Sequence, residues 1–125
     1  MLNIASQAKV FLCLVPTDMR KSIDGLCGLA SSLLEQDPLS GHLFVFVSKR
    51  RDRVKLLYWD ATGYAVWYKR LEQGVFRLPA RGDDGKQPSL VVSPADLVML
   101  LDGVDLASVK RGKRFRLQPT SASAS

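Results

Sequence analysis

The sequence predicts an α+β fold: an antiparallel β-meander with an opening strand, packed by one longer N-terminal helix and one short C-terminal helix. Three features carry this expectation. β-prone runs are bounded by turn residues, an apolar stripe at helical spacing follows Pro16, and a Ser-Pro-Ala-Asp helix start occurs at residue 93. With 125 residues, 46% hydrophobic and 24% charged, the chain has the size and composition of one folded domain. The boundaries read as a single α+β domain over 1–108 and a tail over 109–125. That tail is basic and then Ser/Ala-rich, a composition that buries little apolar surface and predicts disorder.

Residues 8–14 (Ala-Lys-Val-Phe-Leu-Cys-Leu) read as the opening strand, closed by the turn Pro16-Thr17-Asp18. Thr17 or Asp18 then caps the first helix, along which Met19, Ile23, Leu26, Ala30, Leu33 and Leu34 recur at intervals of three and four. Gly25 and Gly28 weaken this helix by about 1 kcal/mol each relative to Ala, a cost that close packing of its first turns on the sheet would explain. After the turn at Asp37–Gly41, three strands follow: Leu43 to Ser48, Val54 to Asp60 and Tyr64 to Arg70. A Lys-Arg-Arg-Asp-Arg tip joins the first two. Ala61-Thr62-Gly63 joins the second and third and reads as a three-residue loop with its left-handed position at Gly63.

Val75 to Leu78 reads as a further short strand ending at Pro79, and 80–89 as a polar, mobile loop. Ser93, Pro94 and Asp96 supply the N-cap, the first helical position and an acidic first turn. Leu97, Leu100 and Leu101 share one face of this second helix, and Gly103 stops it.

The net charge of +6 is concentrated in two places. Residues 49–55 hold five cations against Asp52 alone, a local +4; residues 110–116 hold five cations and no acid, a further +5, leaving −3 elsewhere. Such clusters attract polyanions, of which nucleic acid is the commonest in the cell, although basic runs also serve as solvated loops. Cys13 and Cys27 each sit in an apolar segment, not at metal-ligand spacing, and read as core residues of a reducing compartment. With Lys9 interrupting the early apolar residues and no run near the ~20 residues that span a bilayer, the expected location is cytoplasmic, nucleoid-associated if DNA is bound, with no membrane partner.

The three-residue loop predicts that Lys55 opposes Lys69, Leu57 opposes Trp67 and Trp59 opposes Ala65, all on one face. Like charges directly opposed destabilise a sheet, so two lysines beside two tryptophans suit an anion between them. Alternatively Trp59 and Trp67 form the core, and Tyr58, Tyr64 and Tyr68 lie on an apolar outer face that suits a protein partner. Enzyme readings are poorly supported. His42 follows a turn glycine with no nucleophile close in sequence, and reads as a loop residue. Asp52 and Lys55 share the acid-then-lysine spacing of some metal-dependent nucleases, with Asp18, Asp24 or Asp37 as a second carboxylate, but Asp52 stands among arginines, where a surface ion pair is the ordinary role. No catalytic residue, metal site or cofactor is predicted. Arg20 and Lys21, at the unfavourable end of the first helix dipole, need an anionic partner, for which Asp24 is favoured over a phosphate.

Several segments together carry a resemblance. Pro16-Thr17-Asp18-Met19-Arg20-Lys21, Ile23-Asp24-Gly25-Leu26, Asp37-Pro38 with Ser40-Gly41, Phe44-Val45-Phe46, Arg50-Arg51-Asp52-Arg53, Lys55 to Asp60, and Gly63 with Trp67 to Glu72 and Phe76 occur in consistent order across roughly residues 8–103. This pattern resembles the TnpB-type accessory proteins, second-frame products of the sixty-six family of bacterial insertion sequences. Ser22 and Leu78 depart from it, standing where a glycine and a tryptophan are expected. The resemblance implies a non-catalytic accessory role in transposition beside a separate transposase, and gives Asp18, Arg20 and Lys21 as a family motif. The unrelated RNA-guided nucleases sharing the TnpB name are much larger and carry zinc-ribbon cysteines absent here.

The resulting expectation is a DNA-binding or adaptor protein whose partners are DNA at the element ends, the transposase and the other accessory product. Its cationic surface comprises Lys49, Arg50, Arg51, Arg53, Lys55, Lys69 and Arg70, with Lys110, Arg111, Lys113 and Arg114 of the tail. A purely protein-binding adaptor is the alternative, and a metal-dependent nuclease the third reading.

Overall fold

Two segments, Val10–Cys13 (β1) and Leu43–Val47 (β2), are buried at every position instead of alternating, the pattern required of strands covered on both faces. In the computed structural model, which describes residues 8–79 and 87–103, they lie near the middle of a five-stranded sheet. The remaining strands are Arg53–Asp60 (β3), Gly63–Arg70 (β4) and Ser89–Val92 (β5), in the spatial order β4-β3-β2-β1-β5. The helices are Ile23–Ser32 (α1) and Pro94–Leu101 (α2).

The fold is α+β, and β2-β3-β4 form the expected meander. The sheet is mixed, however, because β1 pairs with β2 in parallel, Val10 opposite Leu43 and Leu12 opposite Val45. A parallel neighbour requires a crossover, and α1 supplies it. The opening strand is thus interior, with β5 paired antiparallel on its other side, Val10 opposite Val92.

Strand parity sorts the core into two layers. Phe11, Cys13, Phe44, Phe46 and Leu57 pack with Leu26, Ala30 and Leu34 of the α1 segment. Val10, Leu12, Val45 and Leu56 pack on the opposite face with Leu97 and Leu100 of α2 and with Phe76. Neither cysteine forms a disulfide; Cys13 is buried and Cys27 half-buried, as their apolar settings predict.

Several local expectations change. The N-cap of α1 is Ser22, without a side-chain capping bond; the Asp18 carboxylate instead accepts from the N–H of Arg20 at 2.9 Å, closing a turn before the helix begins. Asp and Ser side chains serve both motifs, and here the turn took the aspartate. Ile23, expected on the buried stripe, is exposed at its rim. The glycines of α1 do not pack on the sheet: a Cβ at Gly25 would meet Cβ of Lys21 at 3.1 Å, and one at Gly28 meets nothing within 4 Å.

Val75 to Leu78 is not a strand. Phe76 turns inward to complete burial on the α2 side, and its N–H bonds the carbonyl of Arg51 at 2.6 Å. Conversely, β5 lies outside the sequence expectations, because it begins inside the expected loop over 80–89 and is only four residues long. Of that loop, 80–86 lie outside the described residues, as do 104–108 and the tail; Ser89 already belongs to β5.

The second helix matches its sequence signals. Ser93 Oγ accepts from the N–H of Asp96 at 3.0 Å while the Asp96 carboxylate accepts from the N–H of Ser93 at 3.5 Å, with Pro94 at the first helical position. Gly103, at φ +91°, follows the last turn. Among the described residues, no helix is long and apolar enough to cross a membrane.

Candidate nucleic-acid interface

The basic tip between β2 and β3 is a tight five-residue loop, 48–52, organised by Ser48. The Ser48 carbonyl accepts from the N–H of Arg51 at 2.9 Å. Its hydroxyl donates to Asp52 Oδ1 at 3.2 Å and accepts from the N–H of Arg53 at 3.1 Å. Arg51 takes the left-handed conformation, φ 63°, which turns the chain back. From behind, the N–H of Leu71 bonds the Asp52 carbonyl at 2.7 Å, adding to the Phe76 bond to Arg51. The backbone of the tip is therefore held at several points.

Lys49, Arg50, Arg51 and Arg53 are exposed. Among the described residues the ion pairs are Arg20 with Asp18 and Arg70 with Glu72, so none of these four cations is neutralised by a described acid.

A second element stands opposite the tip. The N–H of the buried Thr17 bonds the Val47 carbonyl at 2.9 Å, and the ammonium of Lys55 donates to the carbonyls of Met19 and Lys21, each at 2.9 Å. These bonds fasten the 17–21 turn beside the end of β2. Between turn and tip lies an open cleft of about 490 Å³, lined by Thr17, Asp18, Met19 and Arg20 on one side and by Ser48, Lys49, Arg50, Asp52 and Arg53 on the other. Arg51 is outside its lining. Four basic and two acidic residues line the cleft, an excess of positive charge.

Within the turn, Arg20 grips Asp18 in a forked pair, Nη2 to Oδ2 at 2.7 Å and Nε to both oxygens at 3.1 Å. Hydrogen bonds from the Arg20 side chain and then its backbone hold the Asp18 carboxyl at about 2, well below its ordinary range. The anionic partner of Arg20 is thus Asp18, not Asp24.

The other cationic candidates have structural engagements. Lys55 anchors the turn and lies 5.5 Å from the ring centre of Tyr68; Lys69 donates to the Leu101 carbonyl at the end of α2, 2.9 Å away; Arg70 pairs with Glu72 at 3.0 Å. Lys110, Arg111, Lys113 and Arg114 lie outside the described residues.

The β3–β4 hairpin has a two-residue loop, with Asp60 opposite Gly63 and the left-handed residue at Ala61, φ 54°, not at Gly63. Every expected pairing consequently slips by one. Lys55 opposes Tyr68, Leu56 opposes Trp67 and Trp59 opposes Tyr64, and the like-charged pair across the strands is Arg53 with Arg70 instead of two lysines. Trp59 and Trp67 fall on opposite faces: Trp67 packs on the α2-side core, while Trp59 meets Tyr64 edge-on at 5.1 Å. No shared tryptophan platform exists. Tyr58 and Tyr64 line opposite cores, and Tyr68 remains 48% exposed.

His42 is a fastener: its Nδ1 accepts from the N–H of Lys9 at 2.9 Å and its ring meets Phe11 edge-on. Asp18 and Asp52 do share the cleft, but each is committed, to Arg20 and to Ser48. Among the described residues, no group of three or more His, Cys, Asp or Glu side chains is placed to hold a metal ion. Sequence reasoning missed Thr17 and Ser48 as organisers of the cleft; a serine directly before a basic loop was the available signal for the second.

Comparison with known proteins places this architecture. The profile described as IS66 Orf2 like protein matches residues 8–111. The uncharacterised protein y4jC of Sinorhizobium fredii is 35% identical over 111 residues, covering 89% of this chain and 92% of that protein. A second uncharacterised protein of the same organism, y4hO, is 31% identical over 105 residues, 84% of this chain and 88% of its own. No solved structure matches significantly. The match spans the sheet, both helices and both walls of the cleft, and on this evidence the chain belongs to the IS66 Orf2-like family of insertion-sequence proteins.

Proposed function

We propose that the protein is a non-catalytic accessory factor of insertion-sequence transposition that holds DNA through the β2–β3 tip. One observation carries this reading: Lys49, Arg50, Arg51 and Arg53 project from a tethered loop with no described acid to neutralise them. Clustered, unpaired cations on a fixed backbone gain from releasing the counterions of a phosphate backbone, and cations already bound in internal ion pairs gain less. Family membership supplies the biological setting, and the transposase with the other accessory product supplies the protein partners. Retardation of labelled element ends against a scrambled duplex, at two salt concentrations, tests the reading and separates specific from general binding.

A second reading is a protein adaptor of the transposase without DNA contact. The eight-residue edge strand β4, with Tyr68 exposed, favours it, because an unpaired edge can accept a strand from another chain. Co-purification with transposase and no retardation of element ends selects this alternative.

A further inference from the structure

We infer that the cleft between the 17–20 turn and the β2–β3 tip grips a phosphodiester of the DNA backbone from two sides, and that Arg20 makes a direct contact to it. This rests on the DNA-binding reading and goes beyond it. The tip alone would offer a one-sided cationic surface; the cleft adds an opposed wall built by a different part of the chain.

Three observations support the assignment. First, the Asp18 pairing commits only the Nε and Nη2 edge of the Arg20 guanidinium, leaving Nη1 without a partner among the described residues, on a side chain that is 90% exposed. An arginine oriented by a carboxylate loses less rotamer freedom when it binds a phosphate. Second, Arg53 on the opposite wall is held directly across the sheet from Arg70. Arg70 is answered by Glu72, while Arg53 has no described acid, so Arg53 keeps its charge for an anion in the cleft. Third, the walls are preorganised by the Thr17 and Lys55 bonds to separate strands, which keeps their spacing without a ligand.

Arg51 supplies an internal control. It carries the same charge, is exposed and belongs to the same loop, but does not line the cleft. A phosphate held in the cleft distinguishes it from Arg20; a diffuse field does not.

The test is a fluorescence anisotropy titration of the full chain against a short mixed-sequence DNA duplex across a salt series. It compares wild type with Arg20→Ala, Arg51→Ala and the triple variant Arg50→Ala/Arg51→Ala/Arg53→Ala, each checked by circular dichroism and melting. Arg20→Gln, which keeps the aliphatic stem and a donor, serves if alanine loosens the turn. The expected result is that loss of Arg20 weakens binding more than loss of Arg51 and lowers the salt slope by about 1. Equal effects of Arg20 and Arg51, with the triple variant impaired, overturn the cleft contact and leave DNA binding intact. Wild-type affinity in the triple variant overturns the tip as the DNA-binding surface, and no binding by the wild-type protein overturns the DNA reading itself. Competition by polyglutamate as effective as by unlabelled duplex overturns phosphate as the ligand, pointing to an acidic protein.

Discussion

The ammonium of Lys55, in the third strand, donates to the carbonyl of Met19 at 2.9 Å, joining positions thirty-six residues apart in the chain. A second bond to Lys21 completes the clamp. A cation in a strongly basic segment thus acts as an internal fastener, and the cleft depends on it for the spacing of its walls.

Lys55→Met keeps the stem and removes both bonds. Hydrogen bonds from charged donors contribute about 1.5–3 kcal/mol, and partial exposure here places the expected loss at the low end. Urea unfolding should show an earlier midpoint with unchanged slope, and amide shifts should concentrate in residues 17–21.

Lys69 answers the carbonyl of Leu101 at the C-terminal end of α2, where a positive charge also opposes the helix dipole. Replacement by Met should destabilise the protein by about 1 kcal/mol. Hydrogen exchange should quicken along α2 and remain slow in β1 and β2, which distinguishes a local fastener from a general loss.

Asp18 titrates at about 2 because Arg20 donates to it, against an ordinary value of 3.8. A depressed folded-state value means that the contribution of the pair is complete above the unfolded value and is lost as pH falls through about 2. Carboxyl chemical shifts followed by NMR should give this midpoint in wild type. In Arg20→Ala the midpoint should return toward 3.8.

Phe76 has no accessible surface, and its backbone steadies the tip. Phe76→Ala should cost about 3–5 kcal/mol from lost burial and the cavity left behind, measured by chemical denaturation. At temperatures where the variant is folded, the amides of residues 49–53 should exchange faster than in wild type.

What could be read from the sequence was what short segments decide alone. Ser93, Pro94 and Asp96 define the start of α2 through contacts within one turn, and the three meander strands follow from their own composition. The parallel pairing of β1 with β2 was hidden, because strand-like residues do not reveal which neighbour they meet. The Ala61–Thr62 turn shows how little separates right from wrong: assigning the left-handed position to Gly63 shifts the register by one residue and puts Trp67 and Lys69 together on the opposite face from the one they occupy. The tip was visible as a concentration of charge. The cleft was not, since Thr17 and Val47 meet only in the folded chain.

Cations that meet phosphates release counterions, and their removal therefore changes how affinity responds to salt. The most direct measurement is the dependence of DNA affinity on salt for wild type and for Arg50→Ala/Arg51→Ala/Arg53→Ala. Three lost phosphate contacts should flatten the logarithmic slope by roughly two to three. Parallel slopes and equal affinities for the two proteins would mean that the tip cations do not meet phosphates.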